Sequence, residues 1–184
     1  MSADGQRRDV PVWDLAVRVF HWSLVASVAL STLALWWGVG AHRPAGYVAA
    51  ALVLMRVLWG FAGSRYARFA QFLRSVPHTA RYAAQVASGR EPRYVGHNPL
   101  GGWMIVALGL CVLGLAVSGW LYTTDWFWGA EWVERLHSAL AWLLLVLVCA
   151  HLLGVVFTSL RHRENLVRAM LDGRKREPSR DDVA

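Results

Sequence analysis

Neither a C-x-x-C nor a C-x-x-C-H pattern occurs in the chain, and its two cysteines, Cys111 and Cys149, both lie inside apolar stretches. That excludes a cysteine zinc knuckle and covalent haem attachment, and leaves both thiols as packing residues. Charge is scarce as well: 17% of the 184 residues are charged against 56% hydrophobic, with a mean hydropathy of +0.34. An ordinary soluble domain of this length carries more charge. The charge present is basic, formally +7 with a pI near 10.2. Its arginines sit between long apolar runs instead of on one face, so they report membrane topology and argue against a nucleic-acid partner. The first apolar run has no small-residue cleavage site and is longer than a signal h-region, so it is expected to stay in the mature protein.

A bilayer core is crossed by about 20 mostly apolar helical residues. Four windows reach that length, at about 15–40, 43–63, 98–122 and 133–160. The expected fold is therefore all-α, an integral membrane four-helix bundle over residues 1–170, followed by a basic, disordered tail over 171–184. Membrane lipids are its surroundings. Short basic segments stay on the cytoplasmic side. Arg7 and Arg8 precede the first span, and six arginines (Arg65, Arg68, Arg74, Arg81, Arg90 and Arg93) fill the link between spans two and three. The tail adds Arg161, Arg163, Arg168, Arg174, Lys175, Arg176 and Arg180. The third link, TTDWFWGAEWVER, is acidic and tryptophan-rich. Both termini are thus expected in the cytoplasm of a bacterial inner membrane, with Trp126, Trp128 and Trp132 in the opposite interfacial belt. The basic second link, with Phe69, Phe72, Leu73 and Val76 among its arginines, reads as one or two short amphipathic surface helices.

Of seven histidines, His78 and His162 fall in basic segments and read as surface residues, and His97, in GHNP, reads as a helix-entry or hydrogen-bonding residue. His21, His42, His137 and His151 remain, all within or at the edge of apolar spans. An ionisable side chain at that depth is costly unless it faces the bundle interior with a partner, and it marks a functional site by default. His137 and His151 lie 151 minus 137, or 14, residues apart. At 100° and 1.5 Å per residue they share one helix face about 21 Å apart. The topology pairs His21 with His151 at one depth and His42 with His137 at the other. Two facing imidazoles suit a planar macrocycle with one axial nitrogen on each side of its iron. Zinc instead wants a tetrahedral cluster. The expected cofactors are two bis-histidine haem b groups, with His21, His42, His137 and His151 as iron ligands.

Arg18 and Arg56 are the two cations inside or at the edge of the spans. Arg18 precedes His21 by three residues, and Arg56 follows His42 by 14. Both spacings put the arginine near the level of the His21–His151 pair, where haem propionates would need a cation; the alternative is snorkelling to the headgroups.

These residues resemble the bacterial cytochrome b561 family and the related cytochrome b subunits of nickel-iron hydrogenases and formate dehydrogenases. The matching elements are RVFHW at 18–22, H-x-x-x-G at 42–46 followed by LMRVLWGF, GHNP at 96–99, and the span holding LHSAL and CAHLLG. Pro44, two residues after His42, is compatible with a first helical turn that begins at the histidine. The resemblance implies four helices, two bis-histidine b haems, and electron exchange between a quinone or quinol pool and a c-type cytochrome or dehydrogenase subunit. It also allows a stand-alone superoxide:quinone oxidoreductase. The residues by themselves leave open a non-redox scaffold or metal-binding protein whose histidines only hydrogen-bond.

Overall fold

The computed structural model describes residues 9–37 and 40–184, so Arg7 and Arg8 lie outside the described residues. Among the described residues four helices are long and apolar enough to cross a membrane: α1 (Leu15–Trp37), α2 (His42–Ala62), α5 (Pro99–Leu121) and α6 (Glu131–His162). Between α2 and α5 the chain makes a 3₁₀ turn at Arg65–Ala67 and two short helices, α3 (Phe69–Phe72) and α4 (Val76–Ala87). After α6 come α7 (Leu166–Asp172) and the strand β2 (Arg174–Arg176), which pairs antiparallel with the N-terminal strand β1 (Asp9–Pro11).

The helix ends follow from local chemistry. The Asp14 carboxylate accepts the Val17 amide at 2.7 Å and so caps α1. It also accepts from Ser64 and from the Trp59 indole, tying the start of α1 to the end of α2. Burial alone would raise its pKa, but these donors hold it below the usual carboxylate range. His42 opens α2, so Pro44 falls in the first turn, where its missing N–H leaves no intrahelical bond unmade. Asn98 accepts the Gly101 amide at 2.7 Å and Pro99 is the first residue of α5. Gly173 ends α7 at φ 80°, and a Cβ there would lie 2.6 Å from the Trp13 carbonyl, so both conformation and space demand glycine.

α1 packs along α2, α5 along α6, and α2 meets α5. All four long helices converge at a waist of Ala49, Val53 and Val112, flanked by Leu24, Val28, Leu113 and Leu144. Small residues permit the approach: a Cβ on Gly109 would touch Val53 at 3.5 Å, and one on Gly114 would touch Leu140 at 3.2 Å. Outside the waist most side chains of these helices remain exposed, as expected of surfaces that face lipid.

The basic end, where β1 and β2 pair, has its own small core of Val12, Trp13, Val17, Ala67, Val95 and Ala169. Here the expected disordered tail over 171–184 is corrected. Lys175 in β2 is 5% exposed, with its ammonium 3.0 Å from the Val95 carbonyl and 3.4 Å from Glu164. Arg93 reaches Glu164 at 2.6 Å and Asp182 at 2.5 Å, all three side chains being buried. The Arg93–Val95 backbone pairs with Val183. Charges that read as solvated in a one-dimensional sequence are here matched across more than 70 residues of chain, which makes their burial tolerable.

Candidate functional site

The structure brings His42 and His137 together at the acidic end of the bundle, with ring centroids 6.1 Å apart and planes at 73°. Each ring is held through Nδ1 by a serine. His42 Nδ1–H donates to the Ser31 carbonyl at 2.8 Å, while the Ser31 hydroxyl donates back to the His42 carbonyl at 3.0 Å. Ser118, 1% exposed, donates its hydroxyl proton to the Gly114 carbonyl at 2.8 Å. Its Oγ is therefore left to accept from His137 Nδ1–H at 3.0 Å. This bonding selects the Nδ1–H tautomer in both rings and leaves the Nε2 lone pairs free, the state in which imidazole ligates a metal. Gly119 completes the seat, since an added Cβ would come within 3.2 Å of His137 Cε1. Two metal–imidazole bonds of ~2 Å each, with the ring radii added, span roughly 6 Å. The pair thus fits one iron between its rings.

His21 on α1 and His151 on α6 lie toward the basic end, both half-buried. Leu144 is seven residues from His137 and seven from His151, so the waist sits about 10.5 Å from either histidine. Val28, seven residues from His21, and Ala49, seven from His42, stand at that same level. The four-helix waist therefore separates two histidine levels.

Around the His21 level several polar atoms are buried without a protein partner: Arg18 Nε, His21 Nδ1, Arg56 Nη1, Gln71 Oε1 and His97 Nδ1. Buried polar atoms are nearly always paired, so this concentration calls for another group. Arg56 is 7% exposed, donates through Nη2 to the Ala67 carbonyl at 2.9 Å, and lies 5.4 Å from the Phe69 ring centre and 5.8 Å from that of Phe72. It has no carboxylate partner among the described residues. Arg18 turns elsewhere: its Nη1 donates to the Leu171 carbonyl of α7 at 2.6 Å.

His97 is packed between Trp13 and Phe72, with ring centroids at 4.5 and 5.0 Å. Burial, with the cations Arg56 and Lys175 nearby, pushes its pKa down to about 3, so the ring is neutral. The GHNP segment is thus a packed helix entry: a Cβ on Gly96 would strike Gln71 and Tyr66 at 2.9 Å, and Asn98 and Pro99 start α5. Sequence reasoning missed Ser31 and Ser118, because a serine in an apolar helix carries no spacing signature; the positions opposite His42 and His137 emerge only from helix packing. Among the described residues no cluster of three or more His, Cys, Asp or Glu could hold a metal ion.

Four apolar helices among the described residues, with His42 and His137 facing each other across two of them, fit a multi-pass membrane cytochrome of the b type, a class whose haem is held without covalent attachment. The chain belongs to the prokaryotic cytochrome b561 family, whose model matches residues 12–173. It is 26% identical to the probable Ni/Fe-hydrogenase B-type cytochrome subunit of Bradyrhizobium diazoefficiens, over 92% of this chain and 87% of that protein. The protein of the same name from Rhizobium leguminosarum bv. viciae is 24% identical over 96% and 93%, and that from Cupriavidus necator 25% over 88% and 85%. No solved structure matches the chain significantly.

Proposed function

We propose that the protein is a di-haem membrane cytochrome that passes electrons between a hydrogenase or similar dehydrogenase and the quinone pool of a bacterial inner membrane. The observation that carries this reading is the pair His42 and His137, facing each other with both Nδ1 atoms engaged by serine-side acceptors and both Nε2 atoms free. A histidine pair serving only as hydrogen-bonding scaffold would have no reason to hold both lone pairs uncommitted. Haem b, when bound, supplies one-electron exchange. The chain's own contribution is to fix the imidazoles, exclude water around them, and balance charge.

His21 and His151 form the second ligand pair in this reading, supported by the 14-residue spacing on α6 and by the unpartnered His21 Nδ1. Of the two arginines, Arg56 is better placed than Arg18 to receive a propionate, because its Nη1 is buried without a partner beside that level. The hydrogenase side of the reading rests on the relatives' names. Both termini are assigned to the cytoplasm from the basic charge of the tail and of the link that holds Arg65, Arg68, Arg74, Arg81 and Arg90.

The test is a reduced-minus-oxidised spectrum of the purified protein with haem quantification. Two low-spin b haems per chain, extractable by acidic solvent, are expected; one haem or none in fully loaded protein rejects the paired scheme. Haem reduction by superoxide in the absence of any dehydrogenase, with the electrons passing on to quinone and superoxide released as dioxygen, would favour the stand-alone oxidoreductase instead.

A further inference from the structure

A groove of about 350 Å³ runs between the start of α1 and α7, lined by Leu15, Arg18, Val19, Trp22, Ser23, Met170 and Leu171. Its walls are pinned together, since Arg18 Nη1 donates to the Leu171 carbonyl at 2.6 Å and Trp22 Nε1 to the Met170 carbonyl at 3.2 Å. The apolar rim is open outward, with Leu15, Val19 and Leu171 each more than half exposed. Arg18 lies in the first turn of a membrane-spanning helix, at the level where acyl chains meet headgroups. No carboxylate neutralises it among the described residues. Asp14, nearest in sequence, is committed to Val17, Trp59 and Ser64, and Asp172 to Arg168 and the Arg174 amide. A guanidinium with no carboxylate partner at the headgroup end of an apolar groove asks for an amphiphile with a negative head.

We propose that this groove binds one anionic phospholipid in the leaflet at the basic end, its phosphate against Arg18 and one acyl chain running inward along Val19 and Trp22. The groove borders the His21 level, since Arg18 and Trp22 flank His21 and the Trp22 ring meets that of His21 at 5.1 Å. Its other wall, α7, carries none of the paired histidines, and lipid retention is read without reference to haem. Occupying it would hold α7, and through Gly173 the β1–β2 pair, onto the first span.

Native mass spectrometry of the full-length protein in detergent, titrated with phosphatidylglycerol or phosphatidylcholine, tests the proposal. One phosphatidylglycerol should be retained at least about fivefold more tightly than phosphatidylcholine, the factor expected for one interfacial arginine. Arg18→Gln should remove that preference and Arg18→Lys should keep most of it. Arg135→Gln, at the opposite end of the bundle, should change nothing. Because Arg18→Gln also breaks the bond to Leu171, a second variant is needed: Ser23→Trp fills the groove with the cation still in place, and should weaken binding of both lipids. Equal retention of the two lipids by the unaltered protein overturns the site. So does a preference that survives Arg18→Gln, or lipid binding that Ser23→Trp leaves untouched.

Discussion

The imidazoles of His42 and His137 stand 6.1 Å apart across α2 and α6, each backed by one serine. Two helices that are distant in sequence and joined through the whole of α3–α5 thus present matched, oriented imidazoles at one depth. Substitution should expose that pairing. His42→Ala and His137→Ala are expected to lose the same haem, roughly half the total, and His21→Ala and His151→Ala the other. Haem quantification alongside redox titration checks this; a variant of His97 that loses haem while His42→Ala does not would break the assignment.

Ser118→Ala removes the acceptor that orients His137 without touching the ligand itself. Outer partners of metal-bound histidines typically contribute 10–100-fold in affinity. Haem should therefore dissociate from the acidic-end site ~10-fold or more faster, measured by transfer to apomyoglobin, while the other haem is unaffected. Gly119→Leu, which forces bulk against His137, should have a larger effect in the same direction.

Arg56→Gln, in a fully haem-loaded variant, should lower the midpoint potential of the basic-end haem. Removing a nearby buried cation disfavours the added electron. An unchanged potential would show that Arg56 is structural, bonded to the Ala67 carbonyl and packed on Phe69 and Phe72.

The clamp at the basic end should be sensitive to both mutation and acid. Arg93→Ala strands Glu164 and Asp182 without their partner, and breaking a buried pair costs about 3–5 kcal/mol, so the protein's thermal midpoint should fall sharply. Burial raises the pKa of both carboxylates, but Arg93 with Lys175 outweighs it at Glu164, and the Ser179 amide with Arg93 at Asp182, so both sit below their ordinary values. Their stabilisation is accordingly complete above about pH 4.5 and is lost as pH falls through the lowered values. Limited proteolysis across this range should release the segment after Asp172 only in acid, and at higher pH in Arg93→Ala.

A reporter fused after Ala184 should be active only on the cytoplasmic side, since the basic link and tail share one end of the bundle. Periplasmic activity would invert the proposed topology.

Much of this protein is determined by local chemistry that a sequence displays. Run length and charge placement set the four long helices, because an apolar stretch of that length has no alternative to a helix in lipid, and Asp14, Asn98 and Pro99 mark where helices begin. The 14-residue spacing of His137 and His151 fixes two histidines on one face by helix geometry alone. Tertiary structure decided the rest. Which serine orients each histidine, that Arg18 turns to α7 while Arg56 points inward, and that the basic tail folds back against Arg93 all depend on residues more than ten positions apart meeting in space. Helical periodicity carries no information about those meetings. A lone serine or a run of arginines has the same local appearance whether it faces solvent or a buried partner, and only packing sets which of these it becomes.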